Sequence, residues 1–348
     1  MPSKQTDALP GIGRPRLLTV ITPAFNEAES LQALHRRLDQ VLASQEQDWE
    51  WIVVDDHSAD NTFDVVNNLS QADSRVRVIR FARNYGSHTA IACGLHHALG
   101  DCAVVMAADL QDPPETLPQL LSAWKAGAKV VWAVRNKRKG ESAGTLTFSR
   151  LYYFLMRRVV GLKDMPASGA DFLLVDRLVI DAFTKFNESN VSIFALITWM
   201  GFRQSFITYD KQARVKGKSG WSLEKKLKLV VDSVTSFTYL PIRFMSSAGS
   251  IVAVLGVLYG TFLAISALRG SAPHGWSYLM AVALILGGVQ MMMMGMLGEY
   301  VWRAFDESRH RPRYLIEAAA GHASSLPRQD ADSQDIDSPR IASVRSDR

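Results

Sequence analysis

Cysteine is scarce: Cys93 and Cys102 are the only two in 348 residues. Their spacing fits neither a disulfide framework nor a set of metal ligands, so both read as reduced packing residues. Glycine-rich nucleotide signatures are missing as well. No GxGxxG and no GxxxxGK[ST] occurs, which argues against a typical dinucleotide fold and against a P-loop NTPase. Residues 1–16 are polar, contain Pro and Gly, and have no apolar core. They read as a flexible arm and not as a signal peptide. Charge is absent altogether from residues 248–268, AGSIVAVLGVLYGTFLAISAL. A stretch of that length without charge is about what a bilayer crossing requires.

A second apolar run, 276–298, follows after a short turn at 269–275. Two such runs back to back are rare in a soluble core, so both are expected to be transmembrane helices. Lys225, Lys226, Lys228 and Arg243 flank the pair on one side, and Arg303, Arg309, Arg311 and Arg313 on the other. By the positive-inside rule both flanks, and the large N-terminal part, face the cytoplasm. Gly249, Gly256, Gly260, Gly287, Gly288, Gly295 and Gly298 lie in or beside these runs. They allow close helix approach, within the hairpin or in a homo-oligomer. Residues 216–247 carry apolar positions at helical spacing with lysines between them and are expected to hold interfacial helices at the membrane surface. Residues 299–315 form a cytoplasmic juxtamembrane segment. The tail 316–348 is poor in apolar residues and is expected to be disordered.

The rest alternates between strand and helix. Short apolar runs at 17–22, 49–54, 76–81, 102–107 and 129–134 read as strands, with helical spacing between them (Leu31, Leu34, Leu38 and Leu42 in the first case). That alternation implies a doubly wound, mostly parallel sheet, with its ligand at the carboxyl ends of the strands. Polar clusters fall at those ends: Asn26-Glu27, Asp55-Asp56, Arg83-Asn84, and Asp109 with Gln111. The last lies in VVMAADLQDPPE, a buried strand that stops in acidic and amide oxygens. A strand leading into a capped helix, with Asp112 as N-cap and Pro113 at the first helical position, is the other reading of that stretch. The net charge of +5 suits a polyanionic partner. Nucleic acid, anionic lipid and phosphorylated substrates all satisfy it.

In order and spacing, PAFNE, VVDDHSADNT, RNYG and AADLQDPPE resemble the family 2 glycosyltransferases of GT-A fold. With the two apolar runs, SGADFLLVDR, KGKSGWSLEKKLKL and GEYVWRAFDESRHRPRY, the chain resembles the polyprenyl-phosphate glycosyltransferases within that family. This is the group of bactoprenol glucosyl transferase and dolichol-phosphate mannose synthase. The resemblance implies a cytoplasmic GT-A catalytic domain over 17–215. It implies a nucleotide-sugar donor, a polyprenyl phosphate acceptor in the membrane, and no nucleic-acid partner. It places Pro23, Phe25, Glu27, Asp55, Asp56, Arg83 and Asp109 at the donor. It assigns Asp171 to a sugar hydroxyl or to the acceptor phosphate. Two positions depart from the family pattern: Ala107 stands where an Asp is usual, and Gly220 where a Lys is usual.

The chemistry runs the same way. A departing diphosphate develops negative charge, which Mg²⁺ or Mn²⁺ neutralises, and such cations take hard oxygen ligands. Asp109 and Gln111 supply them, one carboxylate fewer than the family pattern. A polyprenyl phosphate is already ionised and needs no strong base, but two phosphates must be held against their repulsion. Arg135, Arg138, Arg214, Lys216 and Lys218 are the candidates for that task. The expected reaction is an inverting transfer of one sugar, from a UDP-sugar to undecaprenyl phosphate, at the cytoplasmic face of the inner membrane. The alternatives are a processive polysaccharide synthase, whose QxxRW motif is not found here, and a catalytically inactive membrane scaffold.

Overall fold

The computed structural model describes residues 17–136, 172–186, 192–212, 240–269, 275–309 and 311–321, with isolated positions between 154 and 166. Strands β1 (Leu17–Ala24), β2 (Asp48–Asp55), β3 (Val76–Phe81) and β4 (Cys102–Val105) alternate with helices α1 (Ala28–Leu42), α2 (Thr62–Ala72) and α3 (Ser87–His97). Helix α4 (Leu117–Lys125) leads to β5 (Val130–Arg135). Strand β6 (Phe172–Asp176), helices α5 (Arg177–Phe183) and α6 (Ile193–Trp199) and strand β7 (Gln204–Tyr209) follow. Two long helices, α7 (Leu240–Leu268) and α8 (Trp276–Ser308), precede a last strand, β8 (Ile316–Ala320).

The eight strands form one sheet in the order β7-β5-β6-β4-β1-β2-β3-β8. Strand β1 pairs parallel with β2 on one side and β4 on the other, and β2 pairs parallel with β3. Strand β6 is antiparallel to both β4 and β5, and β8 is antiparallel to β3. The apolar runs of β1 and β2 are buried along almost their whole length, as strands covered on both faces require. One face packs against Leu31, Leu34, Leu38 and Leu42 of α1 and against α4. The other packs against α3, α5 and α6. Helix α3 approaches β1 so closely that a Cβ at Gly94 would lie 2.2 Å from Ile21 Cγ2. A buried polar group knits the opposite sheet edge: Glu50 accepts from Thr19 Oγ1 (2.6 Å), Leu99 N (2.7 Å) and Arg77 Nη1 (3.1 Å).

Residues 316–320, expected to be disordered, instead form β8. Their low apolar content hid the fact that the gain comes from backbone pairing along the open edge of β3. Just before it, Tyr314 is buried and stacks on Phe81, ring centroids 5.0 Å apart. Residues 240–247 do not form a separate juxtamembrane element but the first turns of α7, with Pro241 where a missing N–H costs nothing. Among the described residues, one helix is long and apolar enough to cross a membrane, over Ile242–Phe262. The expected second run, 276–298, is helical throughout as part of α8. A Cβ at Gly249 would meet Met293 Cε at 3.3 Å, so this glycine does let α7 approach α8. The expected arm, most of the 269–275 turn, residues 216–239 and residues 322–348 lie outside the described residues.

Where α2 turns into β3, Asp73 is wrapped by one arginine. Its Oδ1 accepts from Arg75 N (3.0 Å) and Nε (2.9 Å), and its Oδ2 from Arg75 Nη2 (2.8 Å), with His35 Nε2 at 3.0 Å. The Arg75 guanidinium holds the Asp73 carboxyl well below the usual carboxylate range, against the opposing effect of burial. A carboxyl that titrates lower in the fold than in the unfolded chain stabilises the fold above the ordinary value of 3.8. That stabilisation is lost as pH falls below it. Thermal unfolding followed between pH 7 and pH 2 should therefore show an acid limb that Asp73→Asn makes shallower, and the variant should melt lower at pH 7.

Candidate functional site

Parallel pairing brings the carboxyl ends of β4, β1, β2 and β3 to one edge of the sheet. Ala24 at the end of β1 is in register with Asp55 at the end of β2, and Asp55 with Arg80 of β3. The loop after β1 is fastened to the loop after β2. Asn26 adopts φ +57°. Its N–H donates to Ser58 Oγ (2.9 Å) and its Oδ1 accepts from Ala59 N (2.9 Å). Glu27 N donates to Thr62 Oγ1 (3.0 Å). Pro23 ends up half-buried, Phe25 is 48% exposed, and Glu27 opens α1.

The paired aspartates after β2 do different work. Asp55 is fully buried; its Oδ1 accepts from Ser58 N at 2.9 Å. Its Oδ2 accepts no hydrogen bond among the described residues, although Arg80 Nη1 stands 3.3 Å away. Asp56 is occupied: Oδ1 accepts from Tyr85 N (2.6 Å) and Oδ2 from Gly86 N (2.8 Å). Burial pushes its pKa above the usual carboxylate value, an effect these two N–H groups only partly offset. Asp56 thus clamps the RNYG loop at the start of α3. Arg83 in that loop is exposed, its guanidinium 4.5 Å from the Tyr85 ring centroid. His57 adopts φ +61°, the left-handed region in which Gly is at ease.

Beyond β4 the backbone turns sharply. Leu110 sits at φ +58° between Asp109 and Gln111, a costly conformation for a γ-branched residue. Asp109 is 8% exposed, and its Oδ1 accepts from Gln111 N at 3.1 Å, which fixes the direction of the carboxylate. Gln111 is half-buried, and its carbonyl accepts from Gln212 N at 2.9 Å. Asp112 does not cap a helix. It is buried and accepts from Tyr209 Oη at 2.5 Å, because β7 runs beside this loop and its terminal tyrosine needs an acceptor. A 3₁₀ turn at Pro114–Thr116 intervenes before α4. Burial drives the Tyr209 hydroxyl pKa well up, the Asp112 charge adds to the rise, and Arg135 opposes it. Arg135 and Tyr209 are register partners at the ends of β5 and β7.

Asp109, Gln111, Pro23, Phe25, Glu27, Asp55, Asp56 and Arg83 therefore share one edge of the sheet, and Arg135 stands at the end of β5. Asp171, Arg138, Arg214, Lys216 and Lys218 lie outside the described residues. Two participants were not picked out from the sequence: Arg80, which lies within the β3 run, and Tyr209, neither of which belongs to a motif.

The family described as Glycosyl transferase family 2 matches residues 19–182. An uncharacterized glycosyltransferase of Bacillus subtilis (strain 168), YkcC, is 34% identical over 87% of this chain and 94% of its own length. The chain belongs to glycosyl transferase family 2. It is a glycosyltransferase. Its relatives include the bactoprenol glucosyl transferase of Shigella phage SfV, 32% identical over 86% of this chain and 98% of that protein. Among solved structures, glucosyl-3-phosphoglycerate synthase from Mycobacterium tuberculosis superposes with a TM-score of 0.46 and 17% identity, over 62% of this chain and 77% of that one. That likeness is too distant to bear on the site of this glycosyltransferase.

Tyr209→Phe removes the 2.5 Å donor to Asp112 while keeping the ring. Weakening a buried carboxylate's hydrogen bonding costs about 1–3 kcal/mol. A lower melting temperature in detergent and a slower glycosyl transfer are expected together, since the Asp109–Asp112 loop loses its anchor on β7.

Proposed function

We propose that this glycosyltransferase moves one sugar from a UDP-sugar to a polyprenyl phosphate, undecaprenyl phosphate in the first instance, at the cytoplasmic face of the inner membrane. One observation carries the reading: buried Asp55 ends β2 and buried Asp109 lies in the loop just beyond β4, the two strands that flank β1, so both carboxylates fall at the same edge of the sheet. Relatives named bactoprenol glucosyl transferase, aligned over most of both chains, support the acceptor.

In this reading Pro23, Phe25, Glu27 and Asp55 line the base and ribose. Asp56 acts by holding the loop that carries Arg83 toward the nucleotide. Asp109 and Gln111 would hold Mg²⁺ or Mn²⁺ beside the diphosphate. The donor set fits: both are hard oxygens, and the Asp109 carboxylate is pre-oriented by the Gln111 N–H. Among the described residues no three His, Cys, Asp or Glu side chains gather as a cage. When bound, the cation neutralises charge on the leaving diphosphate. Arg135, Arg138, Arg214, Lys216 and Lys218 hold the acceptor phosphate, and Asp171 a sugar hydroxyl or that same phosphate. The acceptor oxygen attacks the anomeric carbon directly, so the configuration inverts. Helices α7 and α8 form a two-span hairpin with the catalytic domain and both termini in the cytoplasm.

The test is transfer from radiolabelled UDP-glucose and related UDP-sugars to undecaprenyl phosphate with purified protein and Mg²⁺. A mild-acid-labile glycolipid is the expected product. Label in long glycan would indicate a synthase, and no turnover with no nucleotide binding would indicate a scaffold. Asp109→Ala should lower the transfer rate by at least ~100-fold while membrane insertion is kept. Ala107→Asp should lower the Mg²⁺ concentration needed for half-maximal activity, and an unchanged requirement would mean that position 107 does not face the metal.

A further inference from the structure

The loop that carries Asp109 and Gln111 is braced from outside its own sequence. Leu110 takes a left-handed conformation between them, and such a residue keeps that shape only where its surroundings over-determine it. Contacts from other elements do so here. Gln111 O accepts from Gln212 N at 2.9 Å, and Asp112 accepts from Tyr209 Oη at 2.5 Å. Further along, Glu115 is gripped by Arg37 of α1. The grip is two-pronged: Nε donates to Glu115 Oε1 (3.1 Å) and Nη2 to Oε2 (2.5 Å). The remaining edge of the guanidinium turns to the residues after β7, where Nη1 donates to Gln212 Oε1 (3.2 Å). Arg37 thereby closes a ring. The chain runs from Gln111 to Glu115, the guanidinium joins Glu115 to Gln212, and the Gln212 N–H returns to the Gln111 carbonyl.

We propose that Arg37 is a positioning residue of the metal site: by locking Glu115 to Gln212 it holds the Gln111 backbone, and Asp109 with it, in the shape that offers their oxygens to a divalent cation. The proposal rests on the reading of Asp109 and Gln111 as the residues that hold Mg²⁺ or Mn²⁺. The last link in the chain of contacts is the Gln111 N–H, which donates to Asp109 Oδ1 at 3.1 Å and so carries any shift of the Gln111 backbone to the carboxylate. Arg37 follows buried Leu34 by one helical turn, on the flank of the stripe that α1 turns to the sheet. A guanidinium suits the task because its planar fork fixes the direction of each partner, whereas an ammonium is only a point charge. The pair is partly exposed, 24% for the Arg37 side chain and 55% for that of Glu115, which keeps the expected effect moderate.

The experiment titrates Mn²⁺ into the UDP-saturated full-length protein in detergent by calorimetry and measures the Mg²⁺ dependence of transfer from UDP-glucose to undecaprenyl phosphate. Arg37→Ala should weaken Mn²⁺ about threefold, the scale of a partly exposed ion pair, and raise the Mg²⁺ concentration for half-maximal activity by the same factor. The number of Mn²⁺ sites should be unchanged. Arg37→Lys keeps the charge beside Glu115 and loses the fork, so it should recover only part of the loss. In a Glu115→Ala/Gln212→Ala background Arg37→Ala should have no further effect, since both of its partners are then gone. Equal losses in both backgrounds, or fewer Mn²⁺ sites of unchanged affinity, would mean that Arg37 only supports the fold and would overturn the proposal. Asp109→Ala separates the two levels. If it abolishes Mn²⁺ binding while Arg37→Ala leaves it unchanged, the ring is only structural. If Asp109→Ala leaves Mn²⁺ binding unchanged, the metal-site reading itself fails and this inference with it.

Discussion

Parallel pairing of β1 with β2 on one side and β4 on the other is the constraint on which the rest depends. Three adjacent strands pointing the same way must end on the same edge, and their next residues must turn there. The turns are tight: Asn26, His57 and Leu110 all take positive φ. Each loop is then stitched to its neighbour by side-chain to backbone hydrogen bonds, Asn26 to Ala59 and Asp56 to Tyr85 and Gly86. Burial of acidic groups is costly, and here nearly every oxygen concerned is met by an N–H or O–H. The Oδ2 of Asp55 stands out because the same network that satisfies Asp56 and Asp112 leaves it without a donor among the described residues.

Much of this was legible in the chain, because continuous apolar runs that stop in polar clusters are the direct signature of parallel strands buried on both faces. Strand β3 falls where the sequence placed it, and β1, β2 and β5 differ by a residue or two at their ends. Asp55, Asp56 and Asp109 were visible for the same reason: carboxylates at strand ends are conspicuous. Their division of labour was not. Nothing local distinguishes Asp55 from Asp56; the difference comes from the α3 loop, which reaches Asp56 from some thirty positions away. A helix-cap role for Asp112 stayed open as one of two readings because its partner Tyr209 lies 97 positions downstream. Strand β8 escaped notice because a strand of Ile, Glu and three alanines gains its place from an open edge and not from its own hydrophobicity.

The glycosyltransferase domain is therefore not finished when its last internal helix is made. Two long apolar helices come between β7 and the strand that completes the sheet, and the segment that returns is held by both pairing and packing. Tyr314 stacks on Phe81, and Ala82 N donates to Leu315 O at 2.9 Å. The end of α8 is consequently tied to the sheet by a strand inside the sheet itself.

That late return has a consequence for how the protein is made. Arg80 and its partner Glu317 are 237 positions apart. At a synthesis rate of about 5–20 residues per second, the edge of β3 stays unpaired for roughly 10–50 s while the helices emerge. An exposed edge strand templates pairing with other chains. Ribosome-bound intermediates of this enzyme are thus exposed to wrong partners for longer than a domain whose strands arrive in sequence. Pairing of β8 with β3 ends that hazard.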